Sequence, residues 1–198
     1  MHGLTLVRHG ETAWSREGKH TGRTDIPLTE AGRAAARSVA SLLSAHDFVL
    51  AVSSPLSRAR LTAELAGLSG VRIDEDLHEW DYGAYEGRTT PEILAERPGW
   101  YLWADGVPPG DAAHPGENVA QVGARADRAL ARVRPGLEDG PVVLVGHGHA
   151  LRVLVARWLD LPPDHGRFFE LDTAAVSVLG TEHGKPVIAR LNSTPWAS

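Results

Sequence analysis

Residues 4–12 read Leu-Thr-Leu-Val-Arg-His-Gly-Glu-Thr, an apolar run that ends abruptly at an Arg-His-Gly corner. Far downstream, residues 142–149 read Val-Val-Leu-Val-Gly-His-Gly-His, a second apolar run that also ends at a His-Gly pair. Short apolar runs bounded by glycine are typical of buried parallel strands. Two such strands that each end in a histidine predict a site at the carboxyl edge of one sheet, where open α/β sheets bind their ligands.

Predicted helices alternate with strands along the remaining chain. Thr29 and Glu30 suit the start of an Ala-rich helix to about residue 43, because threonine caps free N–H groups and an acidic residue suits the first turn. Residues 48–52 read as a buried strand, and Pro55 suits the start of the helix that follows. The further predicted elements are a strand at 71–73, an amphipathic helix at 117–133, a helix at about 150–159 and two antiparallel strands within 168–191. We therefore predict an α/β fold, a three-layer α/β/α sandwich with a mostly parallel sheet.

The chain length and the absence of a composition break indicate one domain. The 198 residues contain no internal repeat and no low-complexity tract, so we expect a single domain over 1–198. Residues 74–115 are rich in Trp, Gly and Pro and show one short helical pattern near 92–97. A long irregular segment inside a compact domain is usually functional, and we expect a lid or insertion there.

The composition excludes several classes of protein and of site. Acidic residues outnumber basic ones by 25 to 20, and the net charge of −5 argues against a nucleic-acid binder. The chain has no cysteine, which excludes disulfides, thiolate chemistry and Cys-based metal sites. No apolar run approaches the length of a membrane span, and the first strand leaves no room for a signal peptide, so we expect a cytoplasmic protein that does not bind membranes. No motif addresses the oligomeric state, for which a homodimer is our expectation.

The two histidine corners carry groups that suit an anion. Arg8 stands beside His9, and a guanidinium matches phosphate or carboxylate in a two-pronged fork. His147 stands between two glycines, which let backbone N–H groups approach an anion closely. The helix predicted after Gly148 would aim its positive end at the same point.

Three other stretches add chemistry to these corners. Arg58 falls in the first turn after the strand at 48–52, where a second guanidinium could hold a phosphate. Glu79 stands among bulky aromatics, and partial desolvation there favours the protonated carboxyl that a general acid requires. Thr21 and Gly22 offer a hydroxyl and an accessible backbone N–H in the loop after the first strand.

A metal site is the main rival interpretation of the histidines. His147 and His149 could be metal ligands, with His9 as a third. Arg8 and Arg58 would oppose a divalent cation, and the ligand spacing of known zinc sites is not matched. We therefore predict no metal and no cofactor, and a structural role for His149.

The ordered motifs resemble one known family. Leu-Val-Arg-His-Gly-Glu-Thr, Ser-Pro-Leu-Ser-Arg-Ala-Arg-Leu-Thr-Ala, Glu-Trp-Asp-Tyr-Gly-Ala-Tyr-Glu-Gly and Gly-His-Gly follow one another between Leu4 and about Gly148. This set resembles the histidine phosphatase superfamily, the phosphoglycerate-mutase-like proteins. The stretch His-Thr-Gly-Arg-Thr at 20–24 is similar to one in the small bacterial acid phosphatases of the superfamily.

The resemblance implies a role for each matching position. His9 is the nucleophile that accepts the phosphoryl group, while Arg8, Arg58 and His147 hold its oxygens. Glu79 is the proton donor to the leaving oxygen.

Four further positions are implied to bind substrate or phosphate. They are Ser15, Thr21, Gly22 and Gly148. Many relatives carry Asn at the position of Ser15, so this chain offers a shorter hydroxyl there.

These residues predict a metal-independent phosphatase that hydrolyses small phosphorylated metabolites through a phosphohistidine, with an acidic pH optimum. One alternative is a cofactor-dependent phosphoglycerate mutase. Against it, Trp80 stands where mutases typically carry Arg after the proton donor, and only Arg88 and Arg97 supply cations between there and residue 117. The other alternative, a non-catalytic phospho-ligand-binding protein, is disfavoured because the nucleophile and its basic partners are all present.

Overall fold

A computed structural model of the chain describes residues 2–194, and it has the predicted α/β architecture. Six strands form one sheet in the order β3-β2-β4-β1-β5-β6. The strands are β1 Leu4–Arg8, β2 Leu50–Ser53, β3 Arg72–Ile73, β4 Val142–Gly146, β5 Val176–Glu182 and β6 Lys185–Ser193. The first four run parallel, and β5 runs antiparallel to both of its neighbours.

Eight α-helices and three 3₁₀ turns connect and cover the strands in the described part of the chain. The α-helices are α1 Ala13–Arg16, α2 Glu30–Leu43, α3 Ser57–Leu65, α4 Thr90–Glu96, α5 Leu102–Asp105, α6 Val119–Val133, α7 Gly136–Asp139 and α8 Gly148–Trp158. The 3₁₀ turns are Glu75–Leu77, Gly83–Tyr85 and Pro163–Phe168. Thr29 caps α2 as predicted, because its hydroxyl accepts the N–H of Gly32. None of the helices among residues 2–194 is both long enough and apolar enough to span a membrane.

The sheet divides the core into two layers because successive side chains of a strand point to opposite faces. On β4, Val142 and Leu144 belong to the cluster that contains α6 and α8, while Val143 and Val145 belong to the cluster that contains α2 and α3. Every residue of β4 is buried. This is the three-layer sandwich that the alternation of strands and helices predicts.

The segment 74–115 contributes to the core. The single helix expected near 92–97 is α4, and a second short helix, α5, follows it. The segment's large aromatic side chains Trp80, Tyr82 and Trp103 are buried in the same cluster as β1. Indole and phenol rings bury large apolar areas, which is why a stretch with little regular structure packs firmly. That this segment acts as a lid stays a prediction.

The pairing of β1 with β4 positions the two histidine corners. The register places Arg8 opposite Gly146, so His9 and His147 leave adjacent strands at the same edge of the sheet. The N–H of His9 donates to the carbonyl of Gly146 at 2.9 Å, which extends the ladder by one bond. The expectation that distant segments meet at this edge is confirmed for these two histidines.

Candidate active site

His9 lines a cleft of about 300 Å³ at the carboxyl edge of the sheet. Its Nδ1 lies 2.7 Å from the carbonyl oxygen of Gly10. A carbonyl only accepts hydrogen bonds, so Nδ1 carries the proton and Nε2 keeps a free lone pair. Burial lowers the pKa of His9 well below its usual value, and the charges of Arg58 and Arg8 lower it further. The ring is therefore a neutral imidazole, the form that a nucleophile needs.

The cleft brings together six of the nine predicted site residues. Those that line it are Arg8, His9, Ser15, Thr21, Glu79 and Gly148. The other three, Arg58, His147 and Gly22, are not among the described residues that line the cleft. The site is therefore built in two layers, one facing the cleft and one behind it.

Arg8 presents an unsatisfied guanidinium to the cleft. Its Nη1 donates to the carbonyl of Leu171, while its Nε is buried and has no hydrogen-bond partner among residues 2–194. A Cβ on Gly148 would lie 3.3 Å from the Arg8 Cζ, so the glycine leaves the space that the guanidinium occupies. A buried donor without a partner is costly, and an anion in the cleft would satisfy it.

His147 lies directly behind His9, with the two ring centroids 5.1 Å apart. Its Nδ1 accepts from Arg58 Nε at 3.2 Å, and its Nε2 lies 2.7 Å from the Ser54 hydroxyl. Arginine can only donate, so the proton of His147 is on Nε2 and points to Ser54. Burial lowers the pKa of His147 well below its usual value, and Arg58 adds to that effect. His147 is thus neutral and hydrogen-bonded on both sides within the protein.

Arg58 is fully buried and binds the loop that carries Thr21 and Gly22. Its Nη1 donates to the carbonyl of Thr24 at 2.8 Å, and its Nη2 donates to the carbonyls of Gly22 at 2.9 Å and Thr21 at 3.2 Å. Of its five N–H groups, four therefore bind protein atoms. Direct binding of phosphate by Arg58 and His147 stays a prediction. In this structure Arg58 binds His147 and the loop, and His147 packs against the ring of His9.

The backbone N–H of Gly22 is directed away from the cleft. It donates to both carboxylate oxygens of Glu86, at 2.9 and 3.1 Å, and the N–H of Thr24 donates to the same carboxylate. The expected substrate contact through Gly22 is therefore not made available by this conformation, because Glu86 already holds that N–H. Thr21 does line the cleft, and its hydroxyl donates to the carbonyl of Lys19 while its lone pairs stay free.

Ser15 lines the cleft but has a structural task. Thr12 and Ser15 form a reciprocal capping box at the start of α1, in which each side chain accepts the other's backbone N–H. The Ser15 hydroxyl also donates to the carbonyl of Thr12. The Ser15 hydroxyl proton is therefore engaged by Thr12, and the Ser15 oxygen can offer a substrate only a weak hydrogen-bond acceptor.

Glu79 is buried and lies against the start of α8. Its Oε1 accepts the N–H groups of Trp80 and Ala150, both at 2.8 Å, and its Oε2 accepts the N–H of His149 at 3.1 Å. The positive end of α8, expected to face the phosphate, is largely occupied by this carboxyl. The result is a carboxyl group fixed in orientation at the wall of the cleft.

A buried ion pair holds the segment on either side of Glu79. Arg125 of α6 pairs with Glu117 at 2.9 Å and donates to the carbonyl of His78. Glu117 in turn accepts the N–H of Asp81. The residues before and after Glu79 are therefore both attached to α6, which fixes the carboxyl relative to the sheet.

Several residues of the cleft carry chemistry that the sequence reasoning did not assign. They are Lys19, His20, Tyr82, Arg152, Glu170 and Asp172, and His149, taken as structural, also lines the cleft. The Tyr82 hydroxyl lies 2.6 Å from His149 Nδ1. Arg152 follows Gly148 by four residues, so the spacing of one helical turn was the signal that could have placed it beside the cleft.

No group of three or more His, Asp or Glu side chains within the described residues is arranged to hold a metal ion. His9, His147 and His149, the three candidate metal ligands, make separate hydrogen bonds within the protein. His147 is held by Arg58 and Ser54, and His149 by Tyr82.

Comparisons with known proteins agree with this geometry. The model of the histidine phosphatase superfamily (branch 1) matches residues 4–194. The acid phosphatase of Mycobacterium tuberculosis is 43% identical over 195 residues, which are 98% of this chain and 93% of that protein. The 2,3-bisphosphoglycerate-dependent phosphoglycerate mutase 2 of Gloeobacter violaceus is 35% identical over 85% of this chain and 81% of its own length.

A solved structure from Mycobacterium tuberculosis is similar over 98% of both chains, with 42% identity and a TM-score of 0.91. The family match thus includes both histidine corners, Arg58 and Glu79. The chain belongs to the histidine phosphatase superfamily.

Proposed function

We propose that this chain hydrolyses small phosphomonoesters through a phosphohistidine at His9. The observation that carries the proposal is the placement of His9, whose Nδ1 is held by the Gly10 carbonyl and whose free Nε2 shares a small cleft with the unsatisfied guanidinium of Arg8 and the fixed carboxyl of Glu79. The likeness to an acid phosphatase over nearly the whole chain supports hydrolysis as the outcome.

The first step transfers the phosphoryl group to the protein. Nε2 of His9 attacks phosphorus, the bond from phosphorus to the ester oxygen breaks, and the leaving oxygen takes a proton from Glu79. Oε1 of Glu79 already accepts two N–H bonds while Oε2 accepts one, so Oε2 is the oxygen with room for that proton. Arg8 offsets the charge on the phosphoryl oxygens without having to reorganise.

The second step returns His9 to its starting state. Water attacks the phosphohistidine, gives a proton to Glu79, and the bond from phosphorus to nitrogen breaks to release inorganic phosphate. Throughout both steps the hydrogen bond from Nδ1 to the Gly10 carbonyl keeps the ring aimed at the cleft. Arg58 and His147 support that ring from behind, as a charge and as a packing partner.

A mutase would need the same pocket to retain a doubly phosphorylated intermediate. The cleft walls include the acidic side chains of Glu170 and Asp172, and the cation of Lys19 is paired with Glu17 at 2.7 Å. Besides Arg8, Arg152 is the one other cation among the described residues of these walls. This balance of charge disfavours the capture of a second phosphate and supports hydrolysis over transfer back to substrate.

The test is release of phosphate from a panel of phosphomonoesters in the presence of a chelator. The wild type and the control His46→Ala, which removes an exposed histidine, should release phosphate, and His9→Ala should not. Acid-labile label on the protein after a short reaction would report the phosphohistidine. Turnover by His9→Ala, or isomerisation of phosphoglycerate faster than its hydrolysis, would contradict the proposal.

The substrate class that we propose is a small phosphorylated metabolite, in keeping with the cleft volume of about 300 Å³. The cytoplasmic location, the homodimer, the single domain and the lack of nucleic-acid, metal and membrane partners stay predictions.

A further inference from the structure

The half-buried carboxylate of Glu86 has no part in the mechanism proposed above, yet it binds the loop at 21–24. Its Oε1 accepts the N–H groups of Gly22 at 2.9 Å and Thr24 at 3.1 Å, and its Oε2 also accepts from Gly22 at 3.1 Å. Within residues 2–194, every hydrogen bond given to this carboxylate comes from that loop. Glu86 is not among the described residues that line the cleft, so it acts on the loop and not on a bound substrate.

The peptide unit between Thr21 and Gly22 is held at both of its ends. Its carbonyl accepts from Nη2 of Arg58 at 3.2 Å, and its N–H donates to Glu86. The N–H and C=O of a trans peptide point in opposite directions, so the two charged side chains hold the unit from opposite sides. A cation on the carbonyl and an anion on the N–H polarise the peptide in the same sense, which strengthens both hydrogen bonds.

There is little room for this peptide to turn. A Cβ on Gly22 would lie 2.5 Å from the carbonyl oxygen of Trp80 and 2.8 Å from Oε2 of Glu86. The position of Glu86 is itself fixed by backbone pairing, because the N–H of Gly87 donates to the carbonyl of His20 at 2.8 Å. While Glu86 is in place, the peptide is therefore held in one orientation.

The orientation of this peptide determines what Thr21 presents to the cleft, since the peptide joins directly to the Cα of Thr21. Thr21 lines the cleft, and its hydroxyl donates to the carbonyl of Lys19 at 3.0 Å. Because the proton of the hydroxyl is engaged, its oxygen is left as a hydrogen-bond acceptor for a ligand. Loss of the hold on the peptide would leave a buried N–H without a partner, and the loop would have to rearrange.

We propose that Glu86 is a positioning residue, which holds Thr21 in place as an acceptor for a hydroxyl group of the substrate. That hydroxyl group is carried either by phosphorus or by the alcohol part of the ester. The proposal rests on the phosphatase function proposed above, and it leaves the chemistry with His9, Arg8 and Glu79.

The experiment separates the charge of Glu86 from its hydrogen bonds. Glu86→Ala removes both, whereas Glu86→Gln can keep the oxygen that accepts from Gly22 and Thr24. Glu64→Ala and Glu64→Gln, at an exposed position of α3, are the matched controls. The constants kcat and KM are measured with ethyl phosphate and 2-hydroxyethyl phosphate at about pH 5, below the second pKa of about 6 of a phosphomonoester, so that both esters carry a proton on phosphorus.

Glu86→Ala should raise KM about tenfold with kcat nearly unchanged, because it removes a contact made equally in the ground state and the transition state. Glu86→Gln should raise KM less, since its amide oxygen still accepts from the loop. A rise for both esters would place the hydroxyl on phosphorus, and a rise for 2-hydroxyethyl phosphate alone would place it on the alcohol. Either pattern supports the proposal, and the controls should keep the wild-type KM.

Three other results would overturn the proposal. Equal rises in Glu86→Ala and Glu86→Gln would assign the effect to charge alone. A lower KM would mean that Glu86 competes with the substrate for the N–H of Gly22. A wild-type KM together with a lower free energy of unfolding in urea would mean that Glu86 only stabilises the fold.

Thr21→Val connects the effect to Thr21, because valine keeps the shape of the side chain and removes the hydroxyl. In the Thr21→Val background, Glu86→Ala should raise KM by less than about twofold, since the contact that it disturbs is already absent. A rise as large as in the wild-type background would show that Glu86 acts through another group, and the proposal would be wrong.

A binding measurement keeps this test separate from the phosphatase proposal. If the wild type releases phosphate from neither ester, the proposed function fails, and calorimetry then measures the binding of both esters at the same pH. Weaker binding by Glu86→Ala, with a smaller loss in Glu86→Gln, would still support the role of Glu86. Equal binding by the three proteins would overturn it, and so would binding by none of them.

Discussion

Nε of Arg58 donates a hydrogen bond to Nδ1 of His147 at 3.2 Å, and this contact fixes which nitrogen of His147 carries its proton. The proton is on Nε2 and is held by Ser54 at 2.7 Å. A buried chain of three side chains thus lies behind the nucleophile, and Arg58 extends it to the loop at 21–24. Removal of one member leaves the polar atoms of the others without partners.

Arg58→Met should lower both stability and activity. It would leave the buried carbonyl of Gly22, the half-buried carbonyls of Thr21 and Thr24 and the Nδ1 of His147 without this donor, and we expect the free energy of unfolding to fall by about 3–5 kcal/mol. The variant also removes a positive charge that lowers the pKa of His9, so the acidic limb of kcat/KM should move to higher pH. Urea unfolding and pH profiles measure the two effects. Arg60→Met, on the exposed side of the same helix, is the control, and equal losses in the two variants would refute this role.

Glu79→Gln should impair esters with poor leaving groups most. An alkoxide needs a proton as it departs, whereas a nitrophenolate leaves without one. We therefore expect a fall of about 100-fold or more in kcat for an alkyl phosphate and a much smaller fall for p-nitrophenyl phosphate. The amide would also place a donor against backbone N–H groups that now bind the carboxyl, so stability is measured alongside. An equal fall for both esters would count against Glu79 as the acid, and Glu75→Gln at the surface is the control.

The stability of the protein should decrease below about pH 6.5 because buried neutral histidines resist protonation. Burial lowers the pKa of His20 from 6.5 to about 4, so between these values the unfolded chain binds a proton that the folded chain does not. Each such histidine lowers the free energy of unfolding by about 1.4 kcal/mol per pH unit within that window. His20→Gln should therefore lose about 2 kcal/mol less than the wild type between pH 7 and pH 5 in urea unfolding. Leu94→Gln, an exposed change that adds no titrating group, should lose as much as the wild type, and an identical loss by His20→Gln would exclude this explanation.

Gly148→Ala should weaken substrate binding with little effect on stability. The new Cβ would lie 3.3 Å from Arg8 Cζ and would displace the guanidinium by a few tenths of an ångström. Gly148 is the first residue of α8, so the preference of a helix interior for alanine over glycine, about 1 kcal/mol, applies only in part and offsets a fraction of the crowding. We expect KM to rise by roughly three- to tenfold. Gly180→Ala on β5, where the nearest side chain is 3.9 Å away, should keep the wild-type KM, and an unchanged KM in Gly148→Ala would show that Arg8 adapts freely.

The features that periodicity and strand ends encode were predictable from the sequence. Apolar runs located β1 and β4, and the rule that parallel strands share an edge placed His9 beside His147. The cap at Thr29 and the two antiparallel strands of the tail follow equally local rules. These predictions are confirmed because each depends on a few neighbouring residues.

The details that depend on loop conformation were not predictable. No spacing shows that Arg58 binds the carbonyls of the loop at 21–24, or that Glu86 takes the N–H of Gly22. The contact of Glu79 with the first turn of α8 joins positions 70 residues apart through two irregular segments.

The nucleophile and its supporting imidazole come from the two innermost strands, each flanked on both sides by further strands. Fraying of the short outer strand β3, or of β6 at the other margin, leaves the ladder between residues 8 and 146 intact. On heating, phosphorylation of His9 should therefore be lost only when the whole sheet unfolds cooperatively. A loss of turnover at a lower temperature would originate in the loops that carry Glu79 and Thr21.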